Sequence, residues 1–400
     1  MRHLPIGSLW RKWDLHFHTP SSFDYADKSI TDEKIIDTLV EAGIEVVAVT
    51  DHHVIDIARI SNLSTIAAGR ISILPGIEFR TELGGKQKVH LIGIFPENAK
   101  LKDIWTTVQG KLELTTGHIE KKGGDESVYV NFREAADVIH DLGGIVSVHA
   151  GTKSNTIETI GNKELFKQRL KKDLIRDYID LYEIGKASDV TDYEAKVFPN
   201  IGKHIPLVIC SDNHDIKNYA LKASCWIKGD PCFCSFQQIK SDPNRVFIGD
   251  LPPAVDRIKK NPTKYIKAVQ YKKLPGSPLP EEWFSGTVQI NPGLVGIIGN
   301  KGSGKTALAE TIGLLGNCEL EKHFSFLNEA KFRQPKGSKA KHFQASLVWA
   351  NDHQDIKLLS DSTNSSNPAS ISYIPQNYLE TICNEVVNLP GSRLISSLSQ

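Results

Sequence analysis

Six short apolar runs in this chain each border a histidine, an aspartate or a glutamate. Such runs, alternating with helical stretches, predict buried strands of a mainly parallel sheet. In α/β barrels the carboxyl ends of the strands meet at one face, and that face carries the chemistry. We therefore expect an enzyme whose polar residues form one site. The runs with their polar residues are Asp14–His18, Val46–His52, Ile71–Glu78, His90–Ile94, Ile145–His149 and Leu207–His214.

The length of 400 residues predicts two domains. Strands alternate with helices up to about residue 250, with helices expected at Asp32–Ala42, Phe132–Leu142 and Lys163–Tyr178. Residues 251–285 are rich in proline and lysine and are interpreted as a basic connector. A second α/β domain is expected over 286–400, after a first domain over 1–250.

Composition indicates a soluble, cytoplasmic protein with no membrane partner. Formal net charge is +1, no apolar stretch reaches the ~20 residues that span a bilayer, and the start lacks the apolar core of a signal peptide. Six cysteines do not make a disulfide framework, so Cys232-Phe233-Cys234 is interpreted as structural.

Two histidines, His16 and His18, lie two residues apart on a predicted strand and so face the same side. A single such pair is usually a hydrogen-bonded core or surface feature. Repetition favours metal ligation instead, because further histidines and two carboxylates also border predicted strands. These are His52, Glu78, His90, His149, Asp212 and His214.

The segments Asp14-Leu15-His16-Phe17-His18, Thr50-Asp51-His52, Gly76-Ile77-Glu78, His90-Leu91-Ile92-Gly93, Val148-His149-Ala150-Gly151 and Ser211-Asp212-Asn213-His214 resemble, in this order, the PHP (polymerase and histidinol phosphatase) superfamily. The resemblance implies a distorted (β/α)7 barrel with two or three metals at the strand carboxyl ends. It implies a further ligand soon after the first histidine pair, for which Asp24 is our candidate; the alternatives are the nearby Asp27 and a turn-capping role for Asp24. The implied ligands are His16, His18, Asp24, His52, Glu78, His90, His149, Asp212 and His214.

Mixed imidazole and carboxylate ligands suit Zn, Mn or Fe better than Mg. Glu78 is predicted to bridge two cations and to be essential for catalysis, with a bridging hydroxide attacking phosphorus in line. Asp14 and Asp51 are predicted to orient ligand imidazoles. Arg80 and Lys153 are predicted to contact phosphate oxygens, with Lys186 a weaker third; the alternative for each is a solvated surface charge.

The segment 299–306 satisfies G-x-x-x-x-G-K-[ST], between a predicted strand at Leu294–Ile298 and a predicted helix at Ala307–Leu315. Loops of this kind cradle the phosphates of ATP with their amides, while the lysine reaches the β and γ groups and the hydroxyl ligates Mg. The predicted ATP-binding residues are Gly299, Asn300, Lys301, Gly302, Ser303, Gly304, Lys305 and Thr306.

The sequence around this loop resembles the amino-terminal half of an SMC-type or ABC-type ATPase head, with Gln376 as its Q-loop glutamine. Only 24 residues follow Gln376, so the rest of the head is expected beyond Gln400. Heads of this kind pair, which implies a homodimer or larger assembly. Both parts together resemble the TrlF-type PHP–ATPase family, which implies a role in RNA metabolism or phage defence.

The first hypothesis is a multimetal phosphoesterase or nuclease acting on nucleic acid or nucleotides under control of an ATP switch. The alternatives are a small-molecule phosphatase of the histidinol-phosphatase type and a nucleic-acid-binding ATP clamp with a structural metal domain. Residues 257–273 carry seven Lys or Arg and no acid, with Tyr265 and Tyr271 interleaved. This run favours nucleic acid, although a solvated linker has the same composition.

Overall fold

A computed structural model describes residues 8–83, 88–160, 165–282, 285–337, 339–375 and 378. They form two compact units that divide between Val255 and Asp256. Within these ranges no helix combines the length and the apolar character needed to cross a bilayer. The first unit is a mixed α/β fold with a nearly closed, barrel-like sheet.

Strands and helices alternate through most of the first unit, as the sequence predicts. The three expected helices form within two residues of their predicted bounds, except that Lys163 lies outside the described residues. The strands are β1 (Trp10–Phe17), β2 (Ile44–Val49), β3 (Ser72–Glu82), β4 (Lys88–Ile94), β5 (Val130–Asn131), β6 (Ile145–Ala150), β7 (Leu181–Ile184), β8 (Leu207–Val208), β9 (Cys225–Lys228) and β10 (Val246–Ile248). The helices are α1 (Asp32–Glu41), α2 (Ile57–Ala67), α3 (Leu101–Lys111), α4 (Thr116–Lys121), α5 (Phe132–Asp141), α6 (Leu165–Tyr178), α7 (Asp189–Asp192), α8 (Phe198–Ile201) and α9 (Phe233–Gln238), and α10 (Pro253–Lys260) spans the division between the units.

The barrel-like sheet has the strand order β10-β9-β1-β2-β3-β4-β6-β7-β8, with β5 paired to β3. Strand β4 is antiparallel to both β3 and β6, whereas the pairs β1–β2, β2–β3, β6–β7 and β7–β8 are parallel. The segment after β8 returns to β1, where Phe17 and Asn213 form a parallel bridge and the amide of Asp212 donates to the carbonyl of His16 at 2.9 Å. These contacts nearly close the sheet and bring the segment after β8 beside the end of β1.

Helix α5 shows why the helices dock on this sheet. Its N-cap residue, Asn131, accepts hydrogen bonds from the amides of Arg133 and Glu134, which satisfies backbone donors that an open helix end leaves unpaired. Its apolar side chains recur at helical spacing and are buried against the sheet, including Phe132 and Ile139. Apolar burial of this kind holds the strands in place and so fixes the polar residues at their ends.

The second unit contains a four-stranded antiparallel sheet in the order β12-β11-β13-β14, with helix α11 packed beside it. Its core includes Val269, Leu314, Phe343 and Leu347. Its elements are β11 (Ile266–Lys273), β12 (Gly286–Gln289), α11 (Lys305–Leu315), β13 (Phe343–Trp349) and β14 (Gln354–Leu358).

Two predictions for this unit are wrong. Residues 251–285 are not only a connector, because β11 is an inner strand of the sheet and Tyr271 packs against the core. Residues 294–298 do not form the predicted strand: Leu294 and Ile298 are exposed, and no strand of the described residues pairs with them. A strand needs a neighbour to satisfy its amides and carbonyls, and apolar sequence alone does not supply one.

Gly76 lets β3 pass close to its neighbours two residues before Glu78. A Cβ there would lie 2.8 Å from the carbonyl oxygen of Gly93 and 2.8 Å from Cγ2 of Thr50. We expect Gly76→Ala to lower the free energy of unfolding by about 1–3 kcal/mol, because backbone cannot give way cheaply. Denaturant unfolding measures the change.

Gly110→Ala is the matched control for this substitution. Gly110 lies inside α3 and has open space at its Cβ position. Alanine there should raise stability by about 0.5–1 kcal/mol through helix propensity. Equal effects of the two substitutions would contradict the close packing at Gly76.

Candidate metal centre and phosphate loop

The end of β1 places two imidazoles side by side in the buried centre of the barrel. His16 Nε2 lies 3.0 Å from His18 Nε2, and both side chains are fully buried. Glu78 Oε2 lies 2.9 Å from His16 Nε2 and 3.1 Å from His18 Nε2. Asp212 Oδ1 completes this group at 3.4 Å from His16 Nε2. Four atoms from three separate chain segments therefore converge on one point.

The second oxygen of Glu78 faces a different group. Oε1 lies 2.6 Å from His90 Nδ1 and 3.8 Å from His149 Nε2. His149 Nδ1 donates to the carbonyl of Ser154 at 3.0 Å, which turns Nε2 towards Glu78. His90 lies near the start of β4, and because β4 is antiparallel this start reaches the same face as the ends of the other strands.

A third group forms around the loop after β1. Asp24 Oδ2 lies 3.3 Å from His52 Nε2 and 3.2 Å from His214 Nε2, and the rings of His18 and His214 stack at 3.9 Å. Ser22 donates to Asp24 Oδ1 at 2.7 Å and fixes the carboxylate. All nine residues predicted as ligands thus lie in one cluster, and whether they bind metal stays a prediction.

The electrostatics of the cluster favour cations. Burial would raise the pKa of Glu78, but the charges of His16 and His52 hold it well below the usual glutamate range. Burial would lower the pKa of His18, but hydrogen bonds with Asp212 and Glu78 raise it to about 9. The same negative charges that retain a proton on His18 attract a metal ion in its place.

One buried carboxylate of the cluster, Glu183, was missed in the sequence. It lies on β7 opposite His149, and its Oε2 is 2.8 Å from His16 Nδ1. The signal was present, since Leu181-Tyr182-Glu183-Ile184 is an apolar run that carries an acid, and each of the six recognised runs borders a histidine, an aspartate or a glutamate.

Lys153 joins this part of the cluster and is almost fully buried, with 6% of its side chain exposed. Its Nζ contacts Glu183 Oε1 and lies 3.0 Å from Asp212 Oδ2 and 3.2 Å from His149 Nε2. Burial lowers the pKa of His149 to about 3, and the charge of Lys153 adds to this. His149 is therefore a neutral imidazole, the form that ligates metals.

Asp14 and Asp51 do not orient ligand imidazoles as predicted. Asp51 accepts from the amide and hydroxyl of Thr19, at 2.6 and 2.7 Å. Asp14 accepts from the amide of Ser211 at 3.0 Å and the hydroxyl of Tyr219 at 2.9 Å. Both carboxylates join chain segments that carry ligands, so they hold the scaffold of the site.

The other predicted phosphate contacts lie away from the centre. Arg80 follows Glu78 on β3, and its guanidinium lies 4.9 Å above the ring of Phe23 and donates to the carbonyl of Glu126 at 3.0 Å. The Phe23 ring packs against His52, with centroids 5.3 Å apart, so Arg80 lies at the rim of the cluster. Lys186 is exposed and follows β7.

The donor set fits divalent metals. Nitrogen and oxygen ligands about 2.1 Å from a tetrahedral metal lie roughly 3.4 Å apart. The Nε2 atoms of His16 and His18 lie 2.9 to 3.6 Å from each other and from the oxygens of Glu78 and Asp212. Among the described residues, the buried Nδ1 atoms of His18 and His52 have no hydrogen-bond partner.

The glycine-rich segment of the second unit forms a tight loop before α11. Gly302 and Gly304 have φ angles of 84° and 92°, which favour glycine, and Gly304 caps the helix. Lys305 Nζ donates to the carbonyls of Gly299 and Asn300 at 2.8 and 2.9 Å, so its ammonium group lies against the loop backbone. Residues 299–304 are exposed, whereas Gln376 lies outside the described residues.

No protein-family model matches this chain, and no curated protein matches it. Solved structures resemble it distantly, and the three described next are each below 25% identity. A protein from Bifidobacterium adolescentis proposed to be a metal-dependent phosphoesterase is 13% identical, with 57% of this chain and 95% of that chain covered and a TM-score of 0.39.

A two-domain protein from Bacteroides vulgatus, containing a predicted PHP-like metal-dependent phosphoesterase, is 12% identical, with 72% and 86% of the two chains covered and a TM-score of 0.41. An amidohydrolase from Chromobacterium violaceum, solved with sulfate and without metal, is 17% identical, with 60% and 92% covered and a TM-score of 0.35. Because every TM-score is below 0.5, the site is interpreted from its own geometry.

Metal binding to this cluster should release protons. His18 has a pKa of about 9 and is protonated near neutral pH, whereas a metal needs its neutral imidazole. We expect calorimetric titration with Mn²⁺ in buffers of different ionisation enthalpy to show proton release, and affinity to increase as pH rises towards about 9. Binding without proton release would contradict a protonated His18 in the metal-free protein.

Proposed function

We propose that the first unit is a metal-dependent phosphoesterase of the PHP type that binds two or three divalent ions. The observation that carries this proposal is the position of Glu78, whose two oxygens face two different groups of histidines. A carboxylate placed in this way can bridge two cations, which is the arrangement of many hydrolases that cleave phosphoesters. Zn, Mn and Fe match the mixed nitrogen and oxygen donors.

When bound, the metal ions supply an activated hydroxide and neutralise charge on the phosphate oxygens. His16, His18 and Asp212 would hold one ion with Glu78, and His90 and His149 would hold another. A third would lie with Asp24, His52 and His214, to which His18 contributes. Arg80 lies at the rim, where its guanidinium can bind oxygens of a phosphate entering the cluster.

The proposed substrates are phosphodiesters of nucleic acid or nucleotides. Six of the seven basic residues of the run 257–273 are exposed, which supports attraction of a polyanion. Tyr271 gives no support, because it packs against the core of the second unit and cannot stack on a base. The alternative is a small-molecule phosphatase of the histidinol-phosphatase type. Turnover of small phosphate monoesters without cleavage of phosphodiesters would favour that alternative.

We expect Glu78→Gln to lower phosphoester hydrolysis at least about 100-fold, because a neutral amide cannot bridge two cations. Glu82→Gln is the control, since Glu82 lies on the same strand but is exposed. Turnover with Mn²⁺ is measured on DNA, RNA, mononucleotides and a generic monoester. Wild-type turnover in Glu78→Gln would contradict the proposed bridge.

We also propose that the second unit binds ATP and that bound ATP regulates the phosphoesterase. The loop geometry supports it: Lys305 lies across loop carbonyls, and the amides after Gly304 begin a helix of 11 residues. Helix starts of this kind bind phosphate through backbone amides. Binding phosphate through loop amides and activating the attacking water are separate requirements, so we expect weak ATP binding with negligible hydrolysis.

Lys305→Ala should weaken ATP binding about 10–100-fold, the loss expected for a charge-assisted hydrogen bond to phosphate. The metal content of the first unit should not change. Lys322→Ala is the control, because Lys322 is exposed and outside the loop. Equilibrium binding of a fluorescent ATP analogue measures the effect, and rapid ATP hydrolysis that disappears in Lys305→Ala would show a more complete ATPase.

A further inference from the structure

Glu183 is a fully buried carboxylate that the proposed ligand set does not use. It lies on β7, and its Oε2 accepts a hydrogen bond from Nδ1 of His16 over 2.8 Å. Its other oxygen, Oε1, contacts the ammonium group of Lys153. Both oxygens therefore have cationic or donor partners inside the barrel, and only 1% of the side chain is exposed.

The contact with Glu183 determines what the other nitrogen of His16 can do. Because a carboxylate only accepts, the proton of His16 must lie on Nδ1. Nε2 lies 2.9 Å from Glu78 Oε2 and 3.0 Å from His18 Nε2, and a metal ion bound there would replace any proton on Nε2 while Nδ1 keeps its proton towards Glu183. The ring is thereby fixed in orientation and in the tautomer that a metal requires.

Lys153 offsets the cost of burying this carboxylate. Its ammonium group has three donors, and three acceptors surround it: Glu183 Oε1, Asp212 Oδ2 at 3.0 Å and His149 Nε2 at 3.2 Å. An ionised carboxylate without such a partner is strongly destabilising in a protein interior. Glu183 and Asp212 occupy two of its donors and only 6% of its side chain is exposed, so Lys153 has little access to a substrate.

We propose that Glu183 is a positioning residue that sets the ring and tautomer of His16 for metal binding, and that Lys153 is its counter-ion. This inference rests on the proposed metal centre. It assigns Lys153 a role different from the phosphate contact that the sequence suggests. Arg80 is then the cation available to the substrate.

Glu183→Leu and Glu183→Gln separate positioning from packing. Leucine removes the acceptor for His16 Nδ1, so Mn²⁺ affinity should fall about 10–100-fold, as for other outer partners of metal-bound histidines. The glutamine oxygen still accepts from Nδ1, so Glu183→Gln should recover most of the affinity. Competition with a chromophoric chelator measures affinity, and thermal unfolding without metal reports whether each variant folds.

The counter-ion role has its own test. Lys153→Met leaves Glu183 Oε1 buried without its cation and should lower the unfolding temperature, whereas Lys153→Met with Glu183→Gln should recover part of the loss. Lys186→Met, at an exposed lysine, is the control. Additive losses in the double variant would overturn the pairing of Lys153 with Glu183.

The outcomes distinguish this inference from the proposed function. A wild-type protein that binds no Mn²⁺, Zn²⁺ or Fe²⁺ would overturn the metal centre itself. A wild-type protein that binds metal while Glu183→Leu binds it equally well would overturn only the positioning role. Equal losses of Mn²⁺ affinity in Glu183→Leu and Glu183→Gln would also overturn it. The glutamine oxygen still accepts from His16 Nδ1, so a positioning role predicts a smaller loss for Glu183→Gln.

Discussion

The site depends on one buried carboxylate that two groups of histidines share. Glu78 would be strongly destabilised in the barrel interior if it were alone, because burial disfavours its charge. His16 and His18 approach one oxygen and His90 approaches the other, so the charge is compensated on both sides. The surrounding strands deliver these partners, and the fold and the cluster therefore support each other.

Much of this site could be predicted from the sequence, because apolar strands that border polar residues place those residues at one face. His90 lies near the start of β4, whereas most of the other ligands lie near or after the carboxyl ends of their strands. Because β4 is antiparallel to β3, its start reaches the same face as those ends, and His90 joins the cluster. Glu183 was missed because its run is short and ends in glycine. The roles of Asp14 and Asp51 depended on distant partners, Tyr219 and Thr19, which spacing along the chain does not reveal.

The second unit shows where sequence patterns fail. Basic and proline-containing sequence suggested a connector, but the alternation that buries Val269 and Tyr271 makes β11 an inner strand. Residues 294–298 have the composition of a strand and no strand partner within the described residues. The glycine-rich turn before α11 was easier to predict because its glycines act through local backbone geometry, and its binding of phosphate stays a prediction.

Anomalous X-ray diffraction can show whether Glu78 bridges two metal ions. Crystals grown with Mn²⁺ and measured on both sides of the manganese absorption edge locate each ion without reference to activity. We expect at least two anomalous peaks, one beside each oxygen of Glu78, between the histidine groups described above. A single peak, or peaks that do not contact Glu78, would contradict this arrangement.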